Sequence, residues 1–210
     1  MLDMDGFVAD FCLGFSTLAS QLFPKKNIIP FGCGAAQVWG FTTGAGVESG
    51  LLTKEENRVV WDHIYKSDLF WINLPPLFNQ ADREALWRLH SQHELCWVTS
   101  RSGKNVADQT SGFIAMHNLP NYTNVTIAGS DKGEFVKANP HYDVAIDDGP
   151  NQIERMSAVG QKVVIMDQPY NRHLIGYHRV TSISEFEVWL NWWQEILDGC
   201  TDANLNLWRS

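Results

Sequence analysis

Four short stretches of this chain carry side chains suited to chemistry: Asp3 and Asp5 in "DMDG", Thr99 and Ser100 in "VTS", Lys132 in "DKGEF", and Asp147 with Asp148 in "AIDDGP". Carboxylates gathered at one place repel and raise one another's pKa unless a cation sits among them. Oxygen-only ligands select a hard ion such as Mg²⁺, which binds through a few carboxylates and keeps positions for water and phosphate. Thr99, with Ser100 beside it, offers hydroxyl and backbone donors for phosphate oxygens, and Lys132 offers a fixed positive charge. Together these groups suit phosphoryl transfer. On an extended strand Asp3 and Asp5 share a face. One can attack phosphorus as a carboxylate. The other, protonated, can donate to the leaving oxygen and later take a proton from water.

Residues so far apart in sequence can act together only if the fold gathers them. The pattern predicts an α/β domain, a Rossmann-like parallel sheet with helices on both faces. "LDMD", "ELCWVTS", "TNVTIAG", "YDVAIDD" and "QKVVIMD" read as strands. Between and after them, "VADFCLGFSTLASQLF", "NQADREALWRLHSQH", "GKNVADQTSGFIAMHNL", "KGEFVKAN", "PNQIERMSAVG" and "SEFEVWLNWWQEIL" read as helices, the last with a capping-box signal in Ser182 and Glu185. In open parallel sheets the carboxyl ends of the strands meet at one edge, and each chemical stretch lies at such an end. The connection between the first helix and the strand at Glu94 is roughly fifty residues longer than a crossover needs. Residues 23–73 are therefore read as a small helical cap inserted after the first motif, with 1–22 and 74–210 as the core.

Composition narrows the partners. A net charge of -8 argues against a stable grip on nucleic acid, while a small phosphorylated ligand needs only one local cation or metal. Cys12, Cys33, Cys96 and Cys200 form no CxxC pair and read as reduced packing residues. With no basic, apolar leader and no apolar stretch of bilayer length, a soluble cytoplasmic protein without membrane contact is expected. The first strand is unusually brief, since only Met1 and Leu2 precede Asp3. Either the α-amino group lies near the core or the natural chain starts upstream.

The motifs, in this order, resemble those of the haloacid dehalogenase superfamily, whose phosphatases carry DxD, a Thr or Ser, a Lys and an acidic pair. A closer similarity is to the 5'(3')-deoxyribonucleotidases, through "DMDGFVADF", "QVWGF", "LFWINLPPL", "VTS", "DK", "IDDGPNQI", "YNRH" and "EVWLNWWQEIL". The resemblance implies a Mg²⁺-dependent hydrolysis of nucleoside monophosphates, with Asp3 as nucleophile and Asp5 as acid/base. Metal would sit on the Asp3 carboxylate, the Asp5 main-chain carbonyl and Asp148, with Asp147 close by, and Thr99 and Lys132 would hold phosphate. It further implies an aromatic enclosure for the nucleoside from Phe11, Trp39 and Phe41, with Trp61 and Trp71 as further candidates. The chain departs from the family at Phe7, where a small aliphatic or Thr is usual, and at Arg101, where Pro often follows "TS". Arg101 is read either as an added phosphate contact or as a surface residue.

Other readings use the same residues. Taken singly, an acidic pair such as "DDG" is an ordinary turn, and an aromatic at helical spacing is more often core than pocket. His90 and His93 lack a third ligand for zinc. A phosphatase for another small phosphomonoester or for a polynucleotide 3' end is the alternative within the chemistry. A non-catalytic module on the same fold is the alternative outside it, disfavoured by the retained charges. Whether the cap supports a homodimer is left open by the sequence.

Overall fold

The computed structural model describes residues 1–37 and 52–199. Its sheet is parallel throughout. Strand β1 (Trp97–Thr99) pairs with β2 (Val125–Ile127), and β3 (Val144–Asp147) pairs with β4 (Lys162–Met166), which pairs with β5 (His178–Val180). Leu2 bridges Trp97 on one side and Ile146 on the other, so the amino-terminal segment joins the two groups of strands into the order β2, β1, Leu2, β3, β4, β5. Its backbone is hydrogen-bonded on both flanks: Leu2 N–H donates to Cys96 O at 2.8 Å and Asp3 N–H to Ile146 O at 3.1 Å. The α-amino group of Met1 is buried and donates to Val144 O at 2.9 Å. Desolvation pushes its pKa down to about 6.

Alternation along the strands divides the interior into two layers. Leu2, Trp97, Ile146, Val164 and Val180 belong to the larger cluster, whereas Met1, Val98, Ala145, Val163 and Ile165 belong to the other. The larger layer is covered by α1 (Phe11–Leu22), α2 (Lys54–Lys66), α3 (Gln80–Gln92), α4 (Val106–Met116) and α7 (Ile183–Gly199); the smaller is closed by α5 (Lys132–Ala138) and α6 (Pro150–Ala158). Helices α1 and α3 each bury one stripe, Cys12, Phe15, Ser16 and Ala19 in the first and Asp82, Ala85, Leu86 and Leu89 in the second. Both stripes follow the i, i+3, i+4, i+7 pattern of a helix lying on a core.

Local chemistry sets the helix starts. Helix α1 begins at Phe11 rather than at Val8, because the Asp10 side chain caps it by accepting from Leu13 N–H at 2.9 Å. Ser182 accepts from Glu185 N–H at 3.1 Å at the start of α7, but the Glu185 carboxylate turns to the backbone and hydroxyl of Thr181. The expected capping box is therefore only half formed. The edge strand His178–Val180 was not evident from the sequence, since exposed His178 and half-buried Arg179 break the apolar run. No helix among the described residues is long and apolar enough to cross a membrane.

Candidate active site

The carboxyl edge of the sheet gathers the four sequence stretches. Asp3 leaves the central segment directly after Leu2, Thr99 ends β1, and Asp147 ends β3 with Asp148 following. Lys132 opens α5, whose start is fixed by Asp131 accepting from Glu134 N–H at 3.2 Å and by Lys132 N–H donating to Gln152 Oε1 at 2.9 Å. Its side chain reaches inward, where Nζ donates to Asp3 Oδ1 at 2.5 Å and to Asp147 Oδ2 at 2.6 Å. The other Asp147 oxygen accepts from Gly149 N–H at 2.8 Å. Asp148 accepts from the Tyr170 hydroxyl, and its main-chain oxygen accepts from Asn171 Nδ2 at 2.9 Å. Gly6 makes this arrangement sterically feasible. It turns the chain at φ +72°, and a Cβ there would overlap the Asp148 carboxylate and stand 2.9 Å from the Tyr170 hydroxyl.

Asp3, Asp147 and Asp148 each offer an oxygen within 4.8 Å of the others, and all three are buried. Burial, then the neighbouring Asp147 and Asp5 charges, push the Asp3 carboxyl up to about 7, although Lys132 pulls the other way. Burial and the charges of Asp3 and Asp147 likewise hold Asp148 well above the usual carboxylate range. Burial by itself would lower Lys132, but its two carboxylate partners outweigh it and hold the ammonium above its ordinary range. One ammonium thus faces three buried carboxylates, and the two raised carboxyls register the shortfall of positive charge. A hard divalent cation fits that shortfall and the all-oxygen donor set.

Asp5 sits at the mouth of this cluster with its side chain 23% exposed. It is gripped by Arg101, whose Nη2 donates to Oδ1 at 2.7 Å and whose Nε reaches Oδ2 at 3.0 Å. Of the two readings of Arg101, burial rules out the surface residue, since it is 2% exposed; the side chain lines the cleft and turns its donors to the Asp5 carboxylate. The physical reason is its bed: the guanidinium lies 4.9 Å from the Trp71 ring centroid and 5.8 Å from that of Phe113. Beside it, Thr99 Oγ1 accepts from Arg101 N–H at 3.2 Å, while the buried Ser100 Oγ has no hydrogen-bond partner. These groups line a cleft of about 620 Å³, partly open to solvent, with Phe11, Trp61 and Trp71 on its apolar side. Phe11 stacks on Trp61 at 5.6 Å and on Trp71 at 5.7 Å between centroids.

A family model described as "5' nucleotidase, deoxy (Pyrimidine), cytosolic type C protein" matches residues 1–192. The chain belongs to this family. It is accordingly a nucleotidase-type phosphatase, a hydrolase. No curated protein matches the chain. Among solved structures, a defluorinating L-2-haloacid dehalogenase aligns with TM-score 0.50 and 10% identity, covering 90% of this chain and 93% of that one. A Thermotoga maritima protein assigned as a beta-phosphoglucomutase aligns with TM-score 0.47 and 14% identity, covering 90% and 96%. At 10% identity the first likeness bears on fold alone, and it agrees with the parallel sheet covered on both faces.

In the nucleotidase, Asp3, Asp5, Thr99, Ser100, Lys132, Asp147, Asp148 and Phe11 all line one cleft. Trp61 and Trp71 join them, whereas Trp39 and Phe41 lie outside the described residues. Lys104 stands apart, paired with exposed Asp68 at 2.7 Å. Sequence reasoning missed the Arg101 grip on Asp5 and the support of Asp148 by Tyr170 and Asn171. The second had a visible signal, since Tyr170 and Asn171 are the first residues of "YNRH". It also missed Asp10, which besides capping α1 accepts from Cys33 N–H at 3.0 Å and ties the stretch after α1 to the first motif.

Proposed function

We propose that the nucleotidase hydrolyses nucleoside monophosphates, 5'(3')-deoxyribonucleotides foremost, with Mg²⁺ and through a phosphoenzyme on Asp3. The observation carrying this reading is the buried Asp3–Lys132–Asp147 bridge beside Asp148, opening on a cleft with one aromatic wall. Asp3, Asp148 and the Asp5 main-chain carbonyl would hold Mg²⁺, with Asp147 anchored close by. When bound, the ion supplies positive charge that lowers the Asp3 carboxyl into its ionised form and offsets charge on the phosphoryl oxygens.

The chain's own groups account for the rest of the reaction. Lys132 keeps Asp3 oriented and, with Thr99 and the unpartnered Ser100 hydroxyl, receives the phosphoryl oxygens. Asp3 attacks phosphorus as the bond to the leaving oxygen breaks, and Asp5 supplies the proton that oxygen needs. Water then attacks the aspartyl-phosphate and gives its proton to Asp5, releasing phosphate and freeing Asp3. Phe11 and Trp61, backed by the buried Trp71, offer faces on which a base can stack, an interaction worth about 1–3 kcal/mol per base. Residues 23–73 would act as the cap that closes this wall over the substrate, with residues 1–22 and 74–210 as the core. The partner is a small nucleotide. The net charge of -8 disfavours a polynucleotide, and the word cytosolic in the family description supports a cytoplasmic location.

Phosphate release from a panel of nucleoside monophosphates and simple phosphomonoesters, with and without Mg²⁺, tests the reading. Asp3→Asn should abolish turnover while leaving the circular dichroism spectrum and melting temperature near those of the parent. Undiminished turnover by Asp3→Asn would sink the mechanism, and a preference for non-nucleoside esters would sink the substrate class.

A further inference from the structure

Arg101 follows "TS", where the resemblance often has Pro, and the structure gives it a specific set of partners. Its side chain is 0% exposed while that of Asp5 is 23% exposed, so the buried partner fixes the exposed one. Both Asp5 oxygens are held, by Nε at 3.2 and 3.0 Å and by Nη2 at 2.7 Å. Nη1 points the other way, toward Thr110 Oγ1 at 3.4 Å. The plane of the fork is set in turn by Trp71, against which the guanidinium rests, and Trp71 is locked by donating its indole N–H to Ser102 O at 3.0 Å. Trp71 also stacks on Phe11, so a continuous row of contacts runs from the aromatic wall through Arg101 to Asp5. A bidentate fork of this kind restricts a carboxylate in both direction and rotation, which a Lys or a water cannot do.

We propose that Arg101 is a positioning residue that aims the Asp5 carboxyl at the leaving-group oxygen and couples that aim to the aromatic wall. The inference rests on the reading of Asp5 as acid/base. In the first step an Asp3 oxygen bonds to phosphorus as the P–O bond to the leaving group breaks, the electron pair of that bond goes to the leaving oxygen, and the proton comes from Asp5. In the second, water's oxygen bonds to phosphorus, its proton goes to Asp5, and the bond from Asp3 to phosphorus breaks. Both transfers require Asp5 within reach of an oxygen that is not itself held by Arg101, so small errors in its aim are costly.

The test compares kcat/KM across aryl and alkyl monophosphates of increasing leaving-group basicity, at saturating Mg²⁺, for the parent enzyme, Arg101→Met, Arg101→Lys and Asp5→Asn. This constant covers steps only through departure of the leaving group, so hydrolysis of the phosphoenzyme does not enter. Arg101→Met should lose about 100-fold on the most basic alkyl leaving groups and under about 3-fold on the most acidic phenols, the range that a misaimed general acid gives. Arg101→Lys, which keeps the charge but not the fork, should show the same steepening and carries the test if Arg101→Met does not fold. A uniform loss across the series would overturn the inference, because a phosphate contact or a purely structural role lowers all esters alike. Asp5→Asn separates the two levels. If it steepens the dependence while both Arg101 variants do not, Arg101 is not the positioning residue and the reading of Asp5 stands. If Asp5→Asn leaves the dependence shallow, Asp5 is not the acid and the inference falls with it.

Discussion

Replacing Lys132 by Met removes the one ammonium that bridges Asp3 and Asp147, while keeping a side chain of similar length in its place. Its distances of 2.5 and 2.6 Å and exposure of 1% make this a buried, hydrogen-bonded ion pair with two partners. Taking one member from such a pair costs about 3–5 kcal/mol, because the remaining charges are left without compensation. At about 2–4 °C per kcal/mol for a domain of this size, Tm should fall by about 6–20 °C. The loss should also depend on pH. The Asp3 carboxyl, ordinarily near 3.8, is raised to about 7 when folded, so its contribution to stability is present at low pH and is lost as pH rises through about 7. Without Lys132 the Asp3 carboxyl rises further, the folded variant holds more protons than the folded parent, and the gap between them widens with pH. Thermal denaturation of both proteins in metal-free buffer at about pH 5.5 and about pH 8 should show the smaller difference at the lower pH. An equal fall at both values, or none, would refute the assignment of Lys132 as counter-ion to the cluster.

The remaining predictions concern neighbouring residues. Tyr170→Phe removes the hydroxyl that donates to Asp148 and should weaken Mg²⁺ activation by about 10–100-fold, read from the metal concentration at half-maximal rate, with maximal rate largely kept. Gly6→Ala places a methyl group in the Asp148 carboxylate and in an unfavourable φ of +72°, so it should lower stability by about 1–3 kcal/mol in denaturant titration and abolish activity. Trp61→Ala should raise KM for nucleoside monophosphates about 5–100-fold through lost stacking, yet leave a simple alkyl phosphate little changed; equal effects on both would remove Trp61 from the base wall. Titrating the metal-free enzyme with Mg²⁺ should release protons near neutral pH, since the ion must displace those held on Asp3 and Asp148. Calorimetry in buffers of different ionisation enthalpy measures that release.

The order of strands and helices was legible because parallel strands buried on both faces leave short apolar runs between amphipathic helices. Trp97 to Thr99, Val144 to Ile146 and Val163 to Met166 are such runs. The charged groups were legible for a related reason: each stands where an apolar run stops, and sheet geometry brings those stops together. What the sequence concealed are contacts that depend on side-chain direction. Arg101 lies only two residues beyond Thr99, yet nothing in "TSRSG" says that its guanidinium turns inward between Trp71 and Phe113 to reach Asp5. Strand His178–Val180 was concealed because a sheet edge needs fewer apolar residues, and its pairing with β4 is decided by backbone geometry.

The brevity of the central strand has a consequence for how the protein comes to exist. Leu2 is held by Cys96 and Val98 on one side and Ile146 on the other, so it is placed by residues made much later. Such separation costs chain entropy before any contact repays it, and it slows folding. Until β3 has emerged, the amino-terminal segment has only the β1 flank to pair with, and Asp3 has neither Asp147 nor Asp148 to face. A nascent chain therefore carries Asp3 before its carboxylate neighbours exist, and the cluster is complete only once β3 has joined the sheet. Truncation before Val144 would keep the whole first motif and leave it without a place to go.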